Sequence, residues 1–347
     1  MTLGKVTVAV ALCNNAKYVK RCIDSVIAQT YKNIEIIIVD DGSKDDSVKI
    51  CEKYTALNGI SLIAKENGGL SSARQRALEA ATGEYICFID ADDYLEKTYV
   101  EHLLRKLVSE SADISVCSTV FLDSDGNELI KESEAYRSKD QVTDISKDDL
   151  SRHFDKVCTE YFLSDSWNKM YRTDFLRVSK VKFELPKGFN GTDLAFNYKL
   201  FLHRPKYCSI ESAEYKHVIY SKSATHRKKK RLQEGSMYIT DQLIKECYIT
   251  NNQDIIENVL PSVYMRLMRK SFQDVYYELN NNRKELNKEF SVMVKKQREY
   301  LKINHLKVNC FKINSKALSG FAFVLMYAPV LLKPYLYLRM KYSGSEA

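Results

Sequence analysis

The sequence lacks the patterns that mark several classes of protein. It contains nine cysteines, but no Cys-x-x-Cys pair and no spacing typical of a zinc site. It has no low-complexity segment, and its apolar (45%) and charged (28%) fractions are those of a folded chain. The simplest interpretation of the scattered cysteines is that they are reduced thiols in the cytoplasm.

Long apolar runs are also missing. Residues 317–332 carry no charge, but this run of 16 residues contains Pro329. It is shorter than the roughly 20 residues that span a bilayer. Residues 1–12 carry a single lysine and lead directly into an apolar strand pattern, so we expect no secretory signal peptide.

Positive charge is unevenly distributed along the chain. The net charge is +8, but residues 226–347 contain 22 Lys and Arg against 11 Asp and Glu, whereas residues 1–225 contain 31 against 34. The basic C-terminal third predicts an anionic surface partner, either lipid or nucleic acid. No nucleic-acid recognition module is legible there, which favours a membrane surface and no nucleic acid.

Strand and helix patterns alternate four times in the first part of the chain. Apolar strand patterns lie at residues 5–12, 34–39, 60–64 and 85–89, with helical spacing in two of the connections and a helix of strong formers at residues 70–80. This alternation predicts an α/β fold with a parallel sheet, right-handed crossovers and helices on both faces.

Three carboxylates follow the strand at residues 85–89. Asp90, Asp92 and Asp93 fall within four positions. Carboxylates repel one another and resist burial, whereas a divalent cation such as Mg²⁺ or Mn²⁺ removes that difficulty and bridges to substrate phosphates. The position at the carboxyl end of a buried strand, where open α/β sheets bind ligands, favours a cation site over a solvated turn.

A second acidic loop follows the strand at residues 34–39. It begins with Asp40 and Asp41, and a glycine turn at residues 67–69 follows the third strand. Parallel strands all end on one side of a sheet, so these loops together predict a nucleotide-binding cleft. The alternative is that residues 40–43 are only a turn and a helix cap.

Three stretches closely resemble the signature of family 2 glycosyltransferases: residues 18–43, residues 67–74 and the Asp-Ala-Asp-Asp box at residues 90–93. The resemblance is specific over residues 5–105 and looser to about residue 226. It implies a GT-A domain over residues 1–226, with a Rossmann-like nucleotide-sugar-binding sheet. It also implies transfer of a sugar from a nucleotide donor, usually a UDP-sugar, with inversion, in the synthesis of bacterial cell-surface polysaccharide.

The resemblance assigns roles to individual residues of the cleft. Asp92 is expected to bind Mn²⁺ or Mg²⁺ directly, with Asp90 on the ion or the ribose. His226 is a candidate to complete the metal shell, and His217, inside a strand, is a weaker one. The residues expected to contact the nucleotide sugar are Asp40, Asp41, Asn67, Gly69, Arg74 and Asp90.

Two segments bear on the acceptor side of the reaction. Asp193 opens a helix at the position of the family's catalytic base, although Thr192 replaces the usual Glu. The alternative role of Asp193 is a helix N-cap. Residues 167–172 resemble a segment that the family carries near the acceptor site. Trp167 could equally well be an ordinary residue of the hydrophobic core. The first strand ends in residues 11–14 without the proline and the aromatic residue that usually hold the base.

The remainder of the chain predicts two further regions. Helical spacing continues through residues 227–310. Residues 311–347 combine the uncharged run with aromatic residues and flanking lysines, which indicates an amphipathic tail on a membrane; a buried docking helix is the alternative. We therefore expect an enzyme peripheral to the inner face of the cell membrane, acting on a glycan or a polyprenyl-linked acceptor.

Two other functions fit part of the sequence. A non-catalytic partner of a true transferase would explain the departures at residues 11–13 and Thr192, but the retention of Asp90, Asp92 and Asp193 argues against it. A sugar nucleotidyltransferase would carry a glycine-rich phosphate loop after the first strand, and residues 13–17 do not resemble one.

Overall fold

The computed structural model describes residues 3–145, 165–189, 191–220, 232–279 and 282–304, together with single residues at positions 150, 154, 157, 306, 321, 322, 325 and 335. The chain divides into two compact units, Met1–Lys228 and Lys229–Ala347. No described helix is long and apolar enough to cross a membrane.

Strands and helices alternate along the first unit. The strands are β1 Val6–Leu12, β2 Ile34–Asp40, β3 Ile60–Ala64, β4 Tyr85–Asp90, β5 Tyr94–Leu95, β6 Ile114–Leu122, β7 Gln141–Asp144, β8 Lys169–Arg172 and β9 Lys206–Val218. The helices are α1 Val19–Ile27, α2 Ser47–Glu52, α3 Leu70–Ala80, α4 Tyr99–Ser109, α5 Ile130–Ala135, α6 Thr173–Ser179 and α7 Thr192–Phe201. The helices described in the second unit are α8 Leu232–Ile249, α9 Gln253–Asn258, α10 Leu260–Leu279 and α11 Arg283–Ile303.

The described strands form one mixed sheet in the order β3-β2-β1-β4-β8-β6-β9-β5, with β7 paired to β9. Strands β1 to β4 are parallel, and β8 runs antiparallel to both β4 and β6. The predicted α/β class is confirmed, and the carboxyl ends of β1, β2 and β4 lie side by side at one edge. The parallel sheet predicted from the first four strands is confirmed, and the strands beyond β4 add a mixed half to it.

The core explains why these strands are almost entirely apolar. Val8 of β1, Ile23 of α1 and Leu103 of α4 are fully buried in one cluster. Ala9 and Phe88, which point to the other face of the sheet, are also buried. Strands covered on both faces require near-continuous apolar sequence, which is the pattern that β1, β2 and β4 carry.

One local prediction is wrong and another is confirmed only in part. Apolar patterns at residues 207–210 and 215–220 predict two strands, but the structure forms a single strand, β9, whose pairing with β6 shifts register after Cys117. A bulge of this kind interrupts the apolar alternation without ending the strand. The Asp-Gly-Asn turn at residues 125–127 predicts a hairpin over residues 121–130, of which the structure keeps one antiparallel bridge, between Leu122 and Glu128, because the chain enters α5 directly afterwards.

Candidate active site

A buried arginine joins two of the predicted site carboxylates. Arg74 of α3 is 1% exposed, and its guanidinium donates to Asp90 Oδ1 at 2.7 Å and to Asp193 Oδ1. The two carboxyl groups belong to β4 and α7, which are far apart in the sequence. The fold therefore brings the proposed base within one side chain of the Asp90 loop.

Asp193 lies in the first turn of α7 but is not its N-cap. Gly191 occupies the cap position with a φ of 98°, a left-handed conformation that glycine adopts without strain. The cap alternative is therefore wrong. Burial raises the pKa of Asp193 to about 6, against the opposing effect of the Arg74 cation. A carboxylate with this pKa is largely ionised at neutral pH and is still a stronger base than an exposed one.

A network of buried polar side chains contacts the backbone of Asp193. Asn197 donates to the Asp193 backbone oxygen and to Ser166 Oγ, both at 3.1 Å, and Tyr171 donates to Asn197 Oδ1 at 2.9 Å. All three of these partners are buried. Nearby, burial lowers the pKa of Lys169 to about 7. Asp193 is consequently fixed by Arg74 through its carboxylate and by this network through its backbone oxygen.

Asp92 has the electrostatics expected of a cation ligand. Burial, followed by the charges of Asp93 and Asp90, raises the pKa of Asp92 to about 7. Within the described part of the chain, no group of three or more His, Cys, Asp or Glu side chains is placed to hold a metal ion. Asp90 and Asp92 alone suit an ion such as Mg²⁺, which takes one or two protein carboxylates and completes its shell with water and phosphate.

Asp41 organises the predicted nucleotide side of the cleft. Its carboxylate is 4% exposed and accepts hydrogen bonds from Lys65 Nζ at 2.7 Å, Gly68 N at 2.9 Å and Gly69 N at 2.7 Å. Asn67 donates to the Asp41 backbone oxygen at 2.7 Å. The structure thus brings together Asp41, Asn67 and Gly69, and it uses the Asp41 carboxylate to shape the loop.

Asp40 and Cys13 complete this edge of the sheet. The buried Asp40 carboxylate accepts from the Ser43 backbone N–H at 3.2 Å. Asp40 therefore also stabilises the turn at residues 40–43, the alternative role considered for this loop. Cys13 is half-buried, and Asn67 Nδ2 lies 3.3 Å from its sulfur. A thiol therefore occupies the place where the family usually has an aromatic ring.

Several residues at the Asp90 loop were missed or misjudged from sequence. His217 is bonded through Nδ1 to Asp93 Oδ2 at 2.9 Å, and the charge of Asp93 raises the pKa of His217 to about 9 against the effect of burial. Trp167 is 5% exposed and stacks on His217, which favours the core reading of that residue. Arg21 of α1 donates to the Asp92 backbone oxygen at 2.6 Å. His226 lies outside the described residues.

The fold is shared with a solved structure. The chain superposes on TarS 1–349 of S. aureus in complex with UDP-GlcNAc with a TM-score of 0.70 and 17% identity, covering 98% of this chain and 92% of that one. The parallel half of the sheet and its acidic edge are those of a GT-A-like fold.

Sequence comparison identifies the family. The Glycosyl transferase family 2 model matches residues 7–178. The putative glycosyltransferase EpsH of Bacillus subtilis is 32% identical over 240 residues, which are 68% of this chain and 67% of EpsH. Glycosyltransferase GlyA of Streptococcus pneumoniae is 33% identical over 220 residues, but these span 62% of this chain and only 30% of GlyA. The chain belongs to glycosyl transferase family 2.

Proposed function

We propose that this glycosyltransferase transfers a sugar from a UDP-sugar to a hydroxyl group of a glycan or lipid-linked acceptor, with inversion, in cell-surface polysaccharide synthesis. The observation that carries the proposal is the Asp90–Arg74–Asp193 arrangement at the carboxyl edge of the parallel strands. A solved structure of the same fold holds UDP-GlcNAc, which supports a nucleotide-sugar donor.

Asp193 acts as the general base in this proposal. The acceptor hydroxyl attacks the anomeric carbon while its proton passes to the Asp193 carboxylate, and the bond to the UDP oxygen breaks on the opposite face of the sugar. One displacement of this kind inverts the anomeric centre. Arg74 favours the ionised form of Asp193 and holds its Oδ1. General-base catalysis contributes a factor of about 10² to 10⁴ in rate.

Asp92 and Asp90 would hold Mn²⁺ or Mg²⁺. Burial, together with the charges of Asp93 and Asp90, raises the pKa of Asp92, and a cation bound beside Asp92 would favour its ionised form. A bound ion supplies charge stabilisation to the departing diphosphate. Asp40 is the proposed contact to the uracil or ribose, while Asp41 shapes the loop of Asn67 and Gly69 that lines the same side.

The proposal is tested by presenting a panel of nucleotide sugars to the purified protein with an acceptor and Mn²⁺ and measuring the release of nucleoside diphosphate. UDP release from one or more donors, abolished by Asp193→Asn, is expected. A protein that binds UDP but releases none from any donor with any lipid-linked or glycan acceptor would instead fit a non-catalytic partner.

We further propose that the protein is peripheral to the cytoplasmic face of the membrane, through the basic region at residues 227–310 and the tail at residues 311–347. In α11, four of the five lysines are spaced by four, seven and seven residues, which places these four along one side of the helix. These exposed lysines are Lys284, Lys288, Lys295 and Lys302. Each lysine close to an anionic surface adds about 1 kcal/mol of attraction, which salt weakens.

Vesicle sedimentation tests this location. The full chain should pellet with vesicles containing anionic phospholipid, stay in solution with purely zwitterionic ones and be partly released by high salt. A truncation after residue 310 should bind UDP but sediment less. Equal partitioning of the two chains would show that the tail is not a membrane anchor.

A further inference from the structure

Two residues of β9, separated by one position, hydrogen-bond to the turn that carries Asp92. Tyr215 and His217 lie two positions apart in β9, so both side chains point to the same face of the sheet. Tyr215 donates its hydroxyl to Asp93 Oδ2 at 2.7 Å and accepts from the Asp90 backbone N–H at 3.3 Å. One hydroxyl therefore contacts both ends of residues 90–93.

Asp93 is the buried anchor of this turn. It is 0% exposed, and its carboxylate accepts from Tyr215, from His217 Nδ1 at 2.9 Å and from the Val218 backbone N–H at 2.9 Å. Its own N–H closes the turn onto the Asp90 backbone oxygen at 3.0 Å. The Asp93 carboxylate is thus bonded to three residues of β9. The Asp92 carboxylate takes no part in these hydrogen bonds.

The only tryptophan of the chain packs behind the two β9 side chains. The Trp167 ring stacks on His217 with centroids 5.2 Å apart and planes 12° apart, and its centroid lies 4.7 Å from that of Tyr215. The His217 ring cannot rotate away from Asp93 without losing this stack. Packing of this kind locks a side chain in one orientation.

We propose that Tyr215 and His217 are positioning residues for the cation site: they act through Asp93 to fix the Asp90–Asp92 turn in a conformation that binds a divalent ion. The inference rests on the proposed cation role of Asp90 and Asp92. From the sequence, His217 is a candidate metal ligand. In this proposal it instead contacts Asp93, the residue that follows the proposed ligand Asp92. Partners that orient metal ligands in this way typically contribute about 10- to 100-fold to metal affinity.

The test measures Mn²⁺ binding directly, from the electron paramagnetic resonance signal of free Mn²⁺ in the presence of saturating UDP. Tyr215→Phe removes both hydroxyl contacts and keeps the ring, and His217→Asn keeps a donor for Asp93 while removing the stacked ring. Each should weaken Mn²⁺ binding about 10- to 100-fold. UDP affinity without metal should be unchanged, which a general loss of fold would not produce.

Tyr99→Phe is the matched control. Tyr99 is also buried, packs edge-on against Tyr215 and donates to the Trp167 and Lys169 backbone oxygens, so its hydroxyl bonds to β8 and to the residues just before it instead of to the turn. It should bind Mn²⁺ as the wild type does. Trp167 emission in each variant reports whether the core around β9 is intact, and His217→Gln replaces His217→Asn if that variant does not fold.

The outcomes separate this inference from the proposed function. Wild-type affinity for Mn²⁺ in both folded variants would overturn the positioning role and leave the cation site standing. Absence of Mn²⁺ binding by the wild type would overturn the cation site itself. Equal weakening by Tyr99→Phe would show that the effect comes from core packing and would also overturn the positioning role.

Discussion

The pH dependence of turnover follows from the burial of Asp193 beside Arg74. With a pKa raised to about 6 by burial, Asp193 is mostly ionised at pH 7 and mostly protonated at pH 5. Only the ionised form can accept the acceptor's proton, so the rate should fall about tenfold for each pH unit below the pKa. Removing the Arg74 cation withdraws the interaction that favours the ionised form, and the pKa must then rise further.

Arg74→Gln should therefore shift the acid limb of the pH–rate profile to higher pH by at least about one unit. A shift of one unit corresponds to the loss of about 1.4 kcal/mol of interaction between the Arg74 cation and the ionised Asp193 carboxylate. Activity lost at pH 7 should return between about pH 8 and pH 9, whereas Asp193→Asn should remain inactive at every pH. The assay is the steady-state release of UDP with saturating donor and metal, recorded from pH 5 to pH 9.

Arg76→Gln is the matched control, because Arg76 is exposed on the same helix. Its profile should coincide with that of the wild type. Thermal unfolding of Arg74→Gln is followed in parallel, since loss of one partner from a buried ion pair destabilises by about 3–5 kcal/mol. If the folded Arg74→Gln protein has the acid limb of the wild type, Arg74 does not control the base.

Three other predictions concern the cation, the nucleotide loop and stability. Asp92→Ala should lose activity by orders of magnitude and melt almost normally, and full activity in excess EDTA would contradict a cation role. Asp41→Asn should weaken UDP binding about tenfold by releasing Lys65 and the N–H groups of the glycine turn. Asp46 is exposed nearby, and Asp46→Asn should leave the UDP affinity measured by titration calorimetry unchanged. Hydrogen bonds from Lys5, Thr7 and Thr82 oppose desolvation and lower the pKa of Glu35 from 4.5 to about 2, so the stability that Glu35 contributes is present above pH 4.5 and lost as the pH falls towards 2. Glu35→Gln should reduce the free energy of unfolding in urea by about 2 kcal/mol at pH 7, discounted for the partly exposed Lys5, and by much less near pH 2.

The first half of the sheet was predictable because its signals are local. Strands β1 to β4 are short apolar runs bounded by turns, and α3 begins and ends where strong helix formers do, at Leu70 and Ala80. The placement of Asp90 at the carboxyl edge follows from the parallel arrangement alone. These features need only periodicity and the rule that parallel strands end together.

The contacts within the site were not predictable, because they join segments distant in sequence. Nothing around Arg74 in the sequence indicates that its guanidinium is shared between Asp90 and Asp193. The residues of β9 that contact Asp93 follow a bulge, and the break that this bulge makes in the apolar alternation is the reason for the wrong prediction of two strands. A His two residues after a Tyr in one strand, on the same face of the sheet, is the sequence signal that points to this contact.

The most direct test of the central claim compares the wild type with Asp193→Asn and Asp193→Glu in a single-turnover reaction with a UDP-sugar and an acceptor, and determines the anomeric configuration of the product by NMR. The wild type should form one product of inverted configuration, with Asp193→Asn binding UDP normally yet forming none and Asp193→Glu retaining a small rate. A product of retained configuration, or turnover by Asp193→Asn within a few-fold of the wild type, would contradict the account.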